Sequence, residues 1–466
     1  MDILLVASEF APWIQHTGVA EVVASFSKTL KQVGHTVTVL VPYRSAYDQS
    51  GLLLARRLSK LKLGDAGELP VYDTQLTSGV QLVLVDLGVD DQTPFGLREA
   101  VLLAQAVAAI INDRSNMGAH TDIVHVHDWL GSFVALAIEQ VDGPRPPTVV
   151  TLHDGIQMPQ LPDAQDKSAL GPFASASQAF LGERINLAAV AVRTAKGVIT
   201  PSHEHARQLT DPAYSGSLAE ELRSLAQPVL GIPAGVDYSR ANPAIDPQLP
   251  SRFDAENSSP KTTCKGSIQK QVGLESDLMH PLLFIAAPLR GVQGQAICDA
   301  LPRLLDYSAS IVVALQPGDD SAFVDQVRAV AEQWKSRIAL LPLSSGQPYT
   351  PALGAADLVL LGAASSPLDS YHLFALRYGA VPITDLAGVH ADVLLDCDAK
   401  LQTGNCFALG VWDADQVLGT IARAISAWDQ PGFERLRRRI MRQDLGWERP
   451  TRRAIQLYRQ VLGIKV

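Results

Sequence analysis

Along the 466-residue chain, short runs rich in Val, Ile and Leu alternate with longer stretches whose apolar positions recur at helical spacing. In the first half the runs are Asp2–Ala7, Thr36–Val41, Gln81–Val85, Ile123–His127, Thr148–Leu152, Gly197–Thr200 and Val229–Pro233. Helical stretches such as Glu21–Val33, Leu97–Asn112 and Ser132–Val141 lie between them. The runs are continuously apolar rather than alternating, so each strand is covered on both faces, which predicts parallel sheets under helices. Residues 237–262 break the pattern with Pro, Asn, Asp and Ser and little periodicity, which reads as an ordered connector. Strand–helix alternation then resumes at Leu282–Ala286, Ile311–Leu315, Ile338–Leu341, Asp357–Leu361, Val381–Thr384 and Cys406–Leu409.

The expected architecture is therefore α/β, with two doubly wound halves and a Pro-rich seam. The first domain spans 1–240, the connector 241–262 and the second domain 263–445. A closing helix at 446–466 carries Ile455, Leu457, Tyr458 and Val461 on its apolar side. That helix either completes the second domain or crosses back to the first. A cleft between two such halves is the natural place for a ligand. The opening unit shows what one wall should be: strand Ile3–Ala7, loop Ser8–Val19 with Pro12 and Gly18, then a helix from Ala20. In doubly wound sheets ligands meet the loops at the carboxyl ends of strands, so residues 8–21 are expected to line the site.

Composition narrows the function classes. Hydrophobic residues make up 47% and charged residues 19%, as in a soluble globular protein, and the formal net charge of −9 gives no reason to expect nucleic acid. The basic run Arg435–Arg439 has Glu434 and Asp444 around it and reads as a solvated helix face. No secretory leader is expected, and the apolar runs are far shorter than the ~20 residues a membrane span needs. Cys264, Cys298, Cys397 and Cys406 show neither CxxC spacing nor a His partner at metal-ligand spacing. Free thiols, no metal, no cofactor and a cytoplasmic location are the expectations.

Ordered along the chain, VASEFAP, DIVHVHDW (122–129), TLHD (151–154), INLAAVAVRTAKGVITPS (185–202), the connector with its NPAIDPQLP run, LQPGDD (315–320), AADLVLLG and ALRYGAVP (375–382) together resemble the bacterial glycogen synthase and plant starch synthase family. The resemblance implies a GT-B fold, two Rossmann-like domains facing across a cleft with the C-terminal helix crossing back to the N-terminal domain. It also implies retaining transfer of glucose from ADP-glucose to an α-1,4-glucan. Such a reaction develops negative charge on the leaving diphosphate, and without a metal it needs cationic side chains and backbone amides there.

The resemblance brings those groups from four places. Where the family carries Lys-Thr-Gly-Gly-Leu, this chain has Gln15-His16-Thr17-Gly18-Val19, so the lysine is Gln15 and a glycine is Thr17, where a Cβ restricts φ. In the second domain the family's arginine and lysine fall on Pro288 and Gln293, or, slipped by two, on Arg290 and Gln295. The family's Glu-Pro-Cys-Gly-Leu-Thr becomes Ser366-Pro367-Leu368-Asp369-Ser370-Tyr371, with Ser366 replacing the glutamate and Asp369 bringing a charge that repels diphosphate. Nearby, Thr-Gly-Gly-Leu becomes Ala387-Gly388-Val389-His390. The first-domain acid and histidine remain as Asp128 and His153, the latter before Asp154, though a His-Asp pair at a strand end also satisfies backbone groups.

One preorganised donor is worth ~10²–10³ in rate, and several losses together leave little activity even when they combine sub-additively. Three readings follow. One is a degenerate family member that binds glucan or regulates its metabolism. Another is an active glycosyltransferase with an altered donor or cation set, using Arg290, His16, Asp128 and His153. The third is a structural subunit beside an active glycogen synthase.

Overall fold

The computed structural model describes residues 1–64, 67–88, 95–116, 119–153, 160–161, 166–173, 185–344, 347–364, 366 and 368–464. The chain divides into two compact units, Met1–Ala234 with Trp447–Val466, and Gly235–Gly446.

The first unit is built on a nine-stranded sheet. Its strands are β1 (Asp2–Val6), β2 (Thr36–Pro42), β3 (Ala55–Arg56), β4 (Val71–Gln75), β5 (Gln81–Val85), β6 (Ile123–His127), β7 (Thr148–Thr151), β8 (Gly197–Thr200) and β9 (Leu230–Gly231). They lie in the order β9-β8-β7-β6-β1-β2-β5-β4-β3. Seven of them are parallel, as continuous apolarity dictates, but β4 runs antiparallel to β5 and β3 antiparallel to β4. This edge departs from the all-parallel expectation because VYDTQ is only half covered and carries polar residues.

Helices α1 (Val19–Gln32), α2 (Leu97–Asn116), α3 (Gly131–Ile138) and α4 (Leu187–Thr194) belong to this unit. On one face of the sheet Leu4, Val6, Val124 and Val126 pack with Leu103, Val107 and Phe133. Gly131 lets α3 approach β7, since a Cβ there would lie 2.7 Å from a methyl of Val150. The opposite face holds Phe26 of α1 and the final helix, Glu448–Val461. Tyr458 of that helix bonds His125 at 2.6 Å, while Phe26 meets the same ring edge-on.

The second unit is a six-stranded parallel sheet: β10 (Leu282–Ile285), β11 (Ser310–Leu315), β12 (Ile338–Pro342), β13 (Leu358–Leu360), β14 (Val381–Asp385) and β15 (Phe407–Leu409). Its order, β12-β11-β10-β13-β14-β15, is that of a dinucleotide-type fold, with the reversal point between β10 and β13. Its helices are α5 (Lys261–Val272), α6 (Gly291–Leu304), α7 (Ser321–Gln333), α8 (Thr350–Ala355), α9 (Tyr371–Arg377), α10 (Ala414–Trp428) and α11 (Phe433–Met441).

Residues 241–262, read from the sequence as a connector between domains, are integral to this unit. Ala241, Leu249 and Phe253 are buried in its core. The stretch lacks periodicity because it is a series of side-chain-capped turns: Asn242, Asp246, Asp254 and Asn257 each accept from an amide two residues on. At its end the fully buried Lys261 ammonium donates to the carbonyls of Leu353 (3.2 Å), Gly354 (2.9 Å) and Tyr378 (2.8 Å). These carbonyls lie at the negative C-terminal poles of α8 and α9, where a cation is favoured. The second unit therefore starts at Gly235 rather than 263. No helix among the described residues is long and apolar enough to cross a membrane.

Candidate functional site

In the first unit the sheet order reverses between β1 and β6, so the loop after β1 and the turn after β6 flank the expected ligand position. The loop is organised by Glu9, which is buried. Its carboxylate accepts from the amides of His16 (2.6 Å) and Thr17 (3.2 Å) and from the Thr17 hydroxyl. Gln15, His16 and Thr17 are exposed, and Gly18 has φ −70° and ψ −12°. That conformation is open to any residue, and Thr17 is not left-handed either, so the expected restriction of φ is not what distinguishes this loop. Its hydrogen bonding is.

After β6, Asp128 adopts φ 59° and accepts from the His153 amide at 2.7 Å. A short polar side chain suits this left-handed position. The carboxylate thereby ties the end of β6 to the chain leaving β7. Behind it three buried imidazoles stack, His125 on His127 and His127 on His153. Nδ1 of His127 and Nε2 of His153 lie 2.9 Å apart, one donating and the other accepting. Whichever ring donates, the pair is left with one N–H and one lone pair, on Nε2 of His127 and Nδ1 of His153. Burial drives all three rings below the ordinary histidine range, His153 to about 3, so they are neutral at physiological pH. A narrow cavity of about 30 Å³ runs among Phe26, His125, His127, His153 and Trp447.

In the second unit the reversal point lies between the loops after β10 and β13, and Gln293 spans it. From the first turn of α6 its Oε1 accepts from the Ala363 amide at 3.1 Å. A Cβ at Gly362 would lie 2.7 Å from the Pro288 ring and 2.8 Å from Gln293 Oε1, so the three residues interlock. Arg290 is the exposed residue preceding α6, its guanidinium against Gly318. Gln295 pairs with Asp299 on the helix surface.

Ser366 is half-buried, and its hydroxyl accepts from the Leu368 amide at 3.2 Å. Asp369, whose charge is expected to repel a diphosphate, accepts from the Tyr371 amide (2.9 Å) at the start of α9. Burial raises its carboxyl above the usual range, while His390 pulls the other way. His390 and His372 meet edge-to-face, both buried, and His372 is driven well below the histidine range by burial and by His390. Asp385 lies 3.8 Å from His390 and accepts from the Trp412 indole at 2.6 Å. Burial raises the Asp385 carboxyl, but nearby His390 and the Trp412 hydrogen bond outweigh it and hold the group below the usual range. Asp154 and Pro367 lie outside the described residues.

The structure thus brings Gln15, Gly18, Asp128 and His153 to the strand ends of one unit, and Arg290, Gln293 and Ser366 to those of the other. Glu9 and His372 are participants that substitution patterns alone did not single out, although Glu9 stands in the VASEFAP motif. No group of three or more His, Cys, Asp or Glu residues among those described is arranged to hold a metal.

Two doubly wound α/β units of this kind define a GT-B fold. The catalytic domain of starch synthase IV from Arabidopsis thaliana, bound to ADP and acarbose, superposes with a TM-score of 0.83, at 21% identity and covering 99% of each chain. Residues 2–224 match the starch synthase catalytic domain. Glycogen synthase 2 of Geobacter metallireducens is 26% identical over 98% of both chains. Glycogen synthase of Burkholderia thailandensis is 28% identical over 98% of this chain and 90% of its own. Over nearly its whole length the chain is similar to the glycogen and starch synthases.

Proposed function

We propose that this homologue has an impaired donor reaction and serves α-glucan metabolism in the cytoplasm, as a glucan-binding or regulatory partner of an active glycogen synthase. The observation that carries the reading is the Gln293–Ala363 bond. At the reversal point of the second sheet, the position that the resemblance assigns to a phosphate-binding lysine is a neutral amide bonded to backbone. Gln15 and Ser366 lack charge in the same way. Neutral side chains offer little to a leaving diphosphate.

The reading is tested by titrating the pure protein with ADP and ADP-glucose and by assaying elongation of glycogen. Binding weaker than about 1 mM with no elongation is the expected result, about 4 kcal/mol of affinity at most. Micromolar ADP-glucose binding with steady glucan synthesis would overturn it. The exposed guanidinium of Arg290 at the start of α6 favours a second reading, in which an altered cation set accepts another nucleotide sugar. A nucleotide-sugar panel in which Arg290→Ala abolishes one specific binding event would establish that alternative.

A further inference from the structure

Hydrogen-bond donors before α1 converge on a single internal anion. Glu9, 3% exposed, accepts from the His16 and Thr17 amides and from the Thr17 hydroxyl. The same hydroxyl oxygen accepts from the Val19 amide at 3.2 Å, the first helical N–H of a 14-residue helix. A nest of amides leading into a helix N-terminus suits an oxyanion, and here one is already seated and covalently tethered. Thr17 contributes twice to the closure. Its hydroxyl strengthens the hold on Glu9 and also uses the Val19 amide, which points out of the helix end.

We propose that Thr17 is a specificity-determining residue that closes this loop to phosphate-bearing ligands. The inference rests on the reading of weakened donor binding and deepens it, assigning part of the loss to an added hydroxyl rather than only to missing lysines. A glycine at 17 keeps both amide bonds to Glu9, since those come from the backbone, and releases the Val19 N–H. Serine keeps the hydroxyl and therefore the closure. Valine removes the hydroxyl but keeps the branched Cβ, so it separates hydrogen bonding from bulk.

The experiment uses the full-length protein with pyrophosphate and ADP as probes, followed by calorimetry, and amide hydrogen exchange read at Val19. Wild type and Thr17→Ser are expected to behave alike. In Thr17→Gly and Thr17→Val the Val19 amide exchanges about 10-fold faster or more, having lost its partner. Thr17→Gly binds pyrophosphate about 10-fold tighter than wild type, and Thr17→Val shows a smaller gain in the same direction. If Thr17→Gly does not fold, Thr17→Val carries the comparison. Equal pyrophosphate affinity in folded wild type and the hydroxyl-free variants overturns the proposal, as does unchanged exchange at Val19. Tight ADP-glucose binding by wild type would remove the impaired-donor reading, whereas silence of both wild type and Thr17→Gly removes only this one.

Discussion

Gln293 holds two loops together with one amide oxygen, so its replacement has a stability readout as well as a binding one. Gln293→Ala leaves the Ala363 amide without its partner, at an expected cost of about 1–3 kcal/mol in urea unfolding. Gln293→Lys loses the same acceptor, so restoring the lysine alone is expected to destabilise the second unit without restoring phosphate affinity. Lys261 is the more demanding position. Replacing it with Met strands carbonyls at the ends of two helices and is expected to cost about 2–5 kcal/mol, with loss of cooperative unfolding in the second unit. At this scale the sequence displayed which residue types had changed, at Gln15, Gln293 and Ser366. It could not display what those side chains bond to, because Ala363 is 70 positions from Gln293 and nothing local links them.

Secondary elements were legible where burial is two-sided. Runs such as ILLV and IVHVH announce parallel strands because helices cover both faces. The edge pair β3 and β4 was not legible, since a short strand with one solvated face has neither the continuous run nor a long alternation. Residues 241–262 misled for a related reason: turns capped by Asn and Asp carry no period, yet Ala241, Leu249 and Phe253 within them are buried in the core. The final helix shows how one polar contact can fix the apolar face of a charged helix. Tyr458→Phe removes the hydroxyl partner of His125 Nδ1 and is expected to cost about 1–3 kcal/mol in the first unit, seen as faster exchange along Glu448–Val461.

Taken over the whole molecule, two doubly wound units and their order were legible, but the point where one gives way to the other moved from 240 to 234. Acid sensitivity belongs to this scale, because both units bury neutral histidines. His153 titrates at about 3 when folded against an ordinary 6.5, held down by burial. The unfolded chain therefore takes up a proton that the folded chain refuses between those values. By linkage the stabilisation is complete above about pH 6.5 and is lost as pH falls towards 3. Urea midpoints are expected to be flat from about pH 7 to 8 and to fall steadily below about 6.5, and His153→Gln should flatten part of that slope. A midpoint independent of pH down to about 4 would contradict the buried neutral assignment.

The division of the chain also fixes an order of events on the ribosome. His125 and Tyr458 are 333 residues apart, and the whole second unit is made between them. Domains tend to fold as they emerge, N-terminal parts first. The first unit's sheet can therefore form early, but the face beside Phe26 and His125 stays uncovered until the last helix is released. At ~5–20 residues per second that interval lasts tens of seconds or about a minute, a window in which a nascent-chain chaperone has an apolar surface to hold.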